Sequence, residues 1–109
     1  MNLVQPQGEG PVLLQDAFEA TQELLDMRIR PVHGADVVIC SCEEFPSFFV
    51  FGYNTRRFLI GMKLTDSLVG NGPVVVPKSG APLYLGGSGS PIEEQLGERP
   101  ITEEFGEPD

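Results

Sequence analysis

Histidine and cysteine, which carry much of the nucleophilic and metal chemistry of proteins, are scarce in this chain: 109 residues hold His33, Cys40 and Cys42 and no others of either type. A single histidine excludes Ser-His-Asp and Cys-His arrangements unless it works alone, and His33 lies between Pro31 and Gly34 in an expected turn. Zinc sites usually draw on three or four protein ligands, and the two thiols have only His33 to join them. No metal or cofactor is expected. Two apart on an expected strand, Cys40 and Cys42 place their side chains on one face with Cα atoms about 6.6 Å apart. That separation is the edge of disulfide geometry, and the extended backbone between them favours free, partly buried thiols.

Positive charge is the second shortage. Seven Lys and Arg stand against 16 Asp and Glu, a net charge of −9, which argues against nucleic acid or anionic lipid as a partner, since a basic patch would have to carry that binding. A basic partner is the natural complement, and the same charge keeps a small protein soluble. Long apolar runs are missing too: nothing approaches the ~18 residues that span a bilayer. The opening MNLVQPQGEG has neither a basic n-region nor an apolar h-region, so a cytoplasmic protein is expected.

What is present suits one globular domain. Hydrophobic residues make up 40% and charged residues 21%, a balance that folds rather than stays disordered. Residues 1–10 read as a flexible leader, 11–96 as the domain, and 97–109, with its acids and prolines, as a disordered acidic tail. From Leu14 the spacing of Leu14, Ala17, Phe18, Thr21, Leu24, Leu25 and Arg28 gives an amphipathic helix with that face buried. Pro11 belongs in its first turn, and Pro31 followed by Gly34 ends it. Asp36 to Glu43 and Ser47 to Tyr53 form a β-hairpin, and the second strand, apolar on both faces, sits centrally in the sheet. Asn54 to Ser67 is compatible with a strand or an irregular crossing, because periodicity alone does not choose between them. A second hairpin follows, Val74-Val75-Val76 returning through Lys78 to Ala81 into Leu83-Tyr84-Leu85, and then a short helix beginning at Pro91. The fold class is α+β: an N-terminal helix on an antiparallel sheet of four to five strands, with a short C-terminal helix.

The glycine-rich stretches match neither a P-loop nor a dinucleotide fingerprint. Gly70, Asn71, Gly72, Pro73, Gly80 and Gly86 are read instead as the frame of the second hairpin. The acid pairs Glu43-Glu44, Glu93-Glu94 and Glu103-Glu104 do not suit paired-carboxylate catalysis, since neighbours on a strand point to opposite faces and the last pair lies in the tail. They read as a solvated surface or as contacts for a basic partner. Arg56-Arg57 is the one basic cluster in the loops.

One ordered set of pieces is similar to a known family. Phe49-Val50-Phe51-Gly52-Tyr53-Asn54, Leu68 to Val76 with its Gly70-Asn71-Gly72-Pro73 turn, Lys78-Ser79-Gly80, Gly86, and Ser90-Pro91-Ile92-Glu93 together resemble the YrhB-type bacterial immunity proteins, also called immunity protein thirty-five. The order holds from Leu14 to Leu96. The chain departs from the pattern where that family's usual tryptophan gives way near Ser47-Phe48, where Pro77 replaces an acid after the valine run, and in a longer tail. Pro77 removes one ladder donor, so the strand is expected to end or lie at an edge there. The resemblance implies no catalysis, and a cytoplasmic antitoxin that occludes the active site of a cognate polymorphic toxin. The alternative it implies is a stand-alone stability factor or chaperone-like protein using apolar surface around Phe58 to Met62. The expected toxin contacts are Glu43, Glu44, Asp66, Glu93 and Glu94, with Arg56 and Arg57 as counter-charges and a basic cleft on the toxin. The chain itself is expected to be a monomer or weak homodimer.

Overall fold

A computed structural model describes residues 11–62 and 72–101; Asp66, Gly70, Asn71, the leader and the end of the tail lie outside them. The described chain begins with α1 (Leu14–Leu24), which runs without interruption through a π-helical turn (Leu25–Ile29) into α2 (Arg30–His33). Strands β1 (Val37–Glu44) and β2 (Phe48–Thr55) follow, then a short helix α3 (Arg56–Gly61), strands β3 (Val74–Pro77) and β4 (Tyr84–Leu85), and α4 (Ile92–Leu96). All strand pairs are antiparallel, in the order β1-β2-β3-β4. The expected α+β architecture is the one observed.

The helix differs from expectation in its end and in its buried face. Pro31 does not stop it; the helix continues to His33, which is therefore helical rather than in a turn. In an α-helix the Pro31 ring would crowd the carbonyl one turn back, but here the preceding turn is widened, the Arg30 N–H reaching Leu25 O, which makes room for the ring. Termination falls to Gly34, whose φ of 116° lies where only glycine is comfortable. Pro11 precedes the helix, whose N-cap is Leu13. Ala17, Ala20, Thr21, Leu24, Leu25 and Ile29 are buried, while Leu14, Phe18 and Arg28 are exposed. Small residues at 17 and 20 let the helix approach the sheet closely, so its contact line passes through them and leaves the larger Leu14 and Phe18 at the flank.

β2 is central, as its two apolar faces require. Phe49, Phe51 and Tyr53 join Val37, Val74, Val76, Leu83 and the helix in the main core. On the opposite face Val50 pairs with Val75, and both are buried. Pro77 closes β3 opposite Phe48. The β1–β2 register slips between Ile39 and Ser41, a bulge at Cys40 that reverses which face each following residue takes. Cys42 comes opposite Phe51 and Ser41 opposite Gly52. The two thiols therefore do not share a face as period-two counting expects; both are free and exposed, although burial still weighs on the Cys42 thiol. Of the Asn54 to Ser67 segment, Asn54 to Met62 resolves into the end of β2 and then α3, capped by Thr55, whose hydroxyl accepts from Phe58 N at 3.1 Å, so this part is neither strand throughout nor irregular; residues 63–67 lie outside the described residues. Beyond α4, residues expected to belong to the tail return to the first hairpin: Ser47 N donates to Glu98 Oε1 at 3.1 Å and Ile101 N to Glu44 O at 2.7 Å.

Candidate partner-binding surface

One helix cannot cover four strands. A helix is ~10 Å across with its side chains, and four strands at ~4.8 Å spacing make a wider sheet. Helix α1 packs on β2 and β3, so the inner face of β1 is only partly roofed. What remains is an open groove of about 610 Å³ walled by Leu14, Gln15, Phe18 and Glu19 of α1 and floored by Ile39, Ser41, Cys42 and Phe51. Leu14 is 52% and Phe18 41% exposed. The Phe18 ring meets Phe51 edge to face at 6.2 Å, so its position is held although one side is bare.

β1 is also an edge of the sheet, with no further strand beside it among the described residues. Its two ends are tied down: Arg30 Nε donates to Val37 O at 2.9 Å, and Glu44 O accepts from Ile101 N. The bulge and the terminal acids are features that keep edges from pairing at random.

The acids and bases expected to meet a partner do not converge. Glu43 and Glu44 stand at the hairpin-turn end of β1, whereas Arg56 and Arg57 begin α3 at the other end of β2, about 23 Å away along an extended strand. Glu44 is paired with Lys78 Nζ at 2.6 Å, and Lys78 lies 5.0 Å from the centre of the Phe49 ring. Arg57 is paired with Asp36 at 2.8 Å, and its hydrogen bond holds the Asp36 carboxyl below the usual carboxylate range. Glu93 and Glu94 are exposed in the first turn of α4, beside a shallow cleft shared with Glu98 and Arg99. Only Glu43 and Glu44 lie on the same strand as the groove.

Their field reaches its floor. The Cys42 thiol is pushed above its ordinary value, first by burial, which penalises charge of either sign, and then by the negative charges of Glu44 and Glu43. The frame residues hold the far side. The Tyr53 hydroxyl, pushed up by burial, donates to Gly72 O at 2.9 Å, and Gly86 N donates to Pro73 O at 2.7 Å. A side chain at Gly72 would overlap the Gly86 carbonyl, while Gly80 sits in the β3–β4 turn. Among the described residues no group of three His, Cys, Asp or Glu is placed to hold a metal ion, and no helix is long and apolar enough to cross a membrane.

Leu14, Phe18, Ile39 and Cys42 were not singled out as surface by sequence reasoning. The signal available was the width of the helix's apolar stripe, which from Leu14 to Ile29 exceeds what one sheet-facing line can bury.

Fold and surface together define a small α+β domain that leaves an apolar groove open beside a sheet edge. Residues 15–95 match the family Immunity protein 35, and the chain belongs to that family. Comparison with curated proteins and with solved structures gave no match. Immunity proteins of this kind are generally non-enzymatic and serve an immunity role.

Proposed function

We propose that this chain is an antitoxin that binds a cognate bacterial polymorphic toxin in the cytoplasm and neutralises it by occluding its active site. The observation that carries the reading is membership of the immunity family over residues 15–95. The charge of −9 supports a toxin with a basic cleft, since complementary charge speeds capture and rejects wrong partners. The mechanism is stoichiometric: the protein acts by remaining bound, so affinity and lifetime of the complex set its potency. Of the expected contacts, Glu43 and Glu44 are best placed beside an apolar surface; Glu93 and Glu94 offer a second acidic site, and Arg56 and Arg57 the weakest. Asp66 is retained as a further candidate.

Co-expression with a toxin encoded by a neighbouring gene tests this directly. Restored growth and co-purification of the pair are expected, and failure of both sinks the antitoxin reading.

A chaperone-like stability factor is the second reading, favoured by Ile60 and Met62, which are 77% and 66% exposed on and just after α3. Suppression of the thermal aggregation of an unrelated client, lost in Ile60→Lys, would support it.

A further inference from the structure

The backbone of β1 and the groove beside it point the same way. In an antiparallel pair, residues alternate between turning their N–H and C=O toward the partner strand and away from it. Val37 and Glu44 turn theirs away from β2: Val37 N donates to Gly34 O, Val37 O accepts from Arg30, and Glu44 O accepts from Ile101 N. Counting two residues inward from each end, with the Cys40 bulge absorbing the mismatch in phase, the residues that face the open edge are Ile39 and Cys42. Both line the floor of the apolar groove, together with Ser41. Backbone groups for pairing and pockets for side chains thus coincide.

We propose that β1 receives an extended segment of the partner as a fifth strand, hydrogen-bonded at Ile39 and Cys42, with apolar side chains entering the groove against Leu14 and Phe18. Strand addition of this kind draws affinity from main-chain bonds and specificity from alternate side-chain pockets. Charge selects the occupant. Glu19 stands on the groove's wall and Glu43 and Glu44 at one end of its strand, so the segment is apolar on the groove side and flanked by Lys or Arg. A second copy of this chain is the poorer occupant, because two molecules of charge −9 repel as they approach. The partner's identity as a toxin rests on the antitoxin reading; the mode of binding does not.

The probe is a nine-residue peptide alternating lysine and valine, compared with its glutamate–valine counterpart against the full chain. Fluorescence anisotropy is expected to show saturable binding of the basic peptide, at least about tenfold tighter than the acidic one, a difference of ~1.4 kcal/mol. Amide exchange read by NMR should slow at Ile39 and Cys42. Leu14→Lys and the double change Leu14→Lys with Phe18→Lys, both at exposed positions, should weaken binding at least about tenfold with unchanged far-ultraviolet dichroism, while Ile60→Lys should not. No saturable binding at about 1 mM peptide overturns the proposal, as does protection elsewhere than β1, unchanged affinity in Leu14→Lys, or sedimentation showing that wild-type chains pair through this groove. With the toxin itself, rescue that survives the groove variants overturns strand addition and leaves the antitoxin reading intact. Failure of the wild type to rescue sinks that reading, and the peptide result still decides the groove.

Discussion

At Gly72 a methyl group has nowhere to go, because a Cβ built there overlaps the backbone carbonyl of Gly86. Backbone cannot step aside as a flexible side chain can, and the Tyr53 hydroxyl already holds Gly72 O from the other direction. Gly72→Ala is therefore expected to destabilise the fold by about 3 kcal/mol or more. Gly80 provides the contrast: its φ is 96° but nothing lies within 4 Å of the position of a Cβ, so Gly80→Ala costs only the backbone strain of about 1–2 kcal/mol. Urea unfolding of both variants checks the difference, and equal losses would mean that close approach is not what position 72 requires. Cys42 offers a second measurement. Its thiol is pushed up by burial first and by Glu44 and Glu43 after that, and the thiolate is the species that alkylates. In a Cys40→Ser background, changing Glu43 and Glu44 to Gln should speed alkylation of Cys42 by iodoacetamide at pH 8. Because burial is the larger cause, the midpoint of the rate profile should stay above that of an unhindered thiol. A rate indifferent to both substitutions would show that the acids do not reach the groove floor.

Arg30 binds three elements together at the end of the long helix. Its guanidinium donates to Val37 O on β1 at 2.9 Å, to Gln22 Oε1 at 2.8 Å and to Asp26 Oδ1 at 2.7 Å, and its side chain is only 18% exposed. Arg30→Ala leaves the Val37 and Gln22 acceptors without that donor and removes the packing of the alkyl stem, a loss expected at about 2–3 kcal/mol. Asp26→Ala, at 67% exposure, removes only a screened surface pair and should cost under about 1 kcal/mol. Thermal unfolding distinguishes the two; a comparable loss in both would place the stabilisation in the ion pair rather than in the bonds to β1. Elements of this kind show how far a sequence can be read. Both hairpins, the central place of β2 and the stop at Pro77 were legible because alternation and proline act locally. The course of the helix past Pro31 was not, since a π turn has no residue signature and exists here because Pro31 must be accommodated. The bulge at Cys40 was equally hidden: it reverses the faces of Ser41 and Cys42 without altering composition. Leu14 and Phe18 fit the helix's apolar stripe, whose width is a hint in the sequence, but which of its residues stay bare is decided by the sheet beneath, a tertiary property.

Across the whole molecule acids outnumber bases by 16 to 7. Among the described residues three bases, Arg30, Arg57 and Lys78, each hold one acid, Asp26, Asp36 and Glu44, and the surplus of acid over base acts as a field of net charge −9. Such a field works in opposite directions on folding and on capture. Within one molecule it is self-repulsion, which salt screens, so the midpoint of thermal unfolding should rise between about 20 mM and about 500 mM sodium chloride as the Debye length shrinks through ~10 Å. Between the molecule and the basic toxin proposed as its partner it is attraction, which salt also screens, so on that proposal the association rate should fall at least about tenfold over the same range. A general effect of salt on apolar burial would raise both stability and affinity, and only a charge effect separates their signs. Glu43→Ala is the sharper local probe, because Glu44→Ala also frees Lys78 and so changes the field twice. If Glu43 contributes to steering, its removal slows association at low salt and matters little at high salt, with the unfolding midpoint unchanged or slightly raised. An association rate that ignores both salt and Glu43 would leave the apolar groove alone to hold the proposed complex, and the acidic surface would then serve solubility rather than recognition.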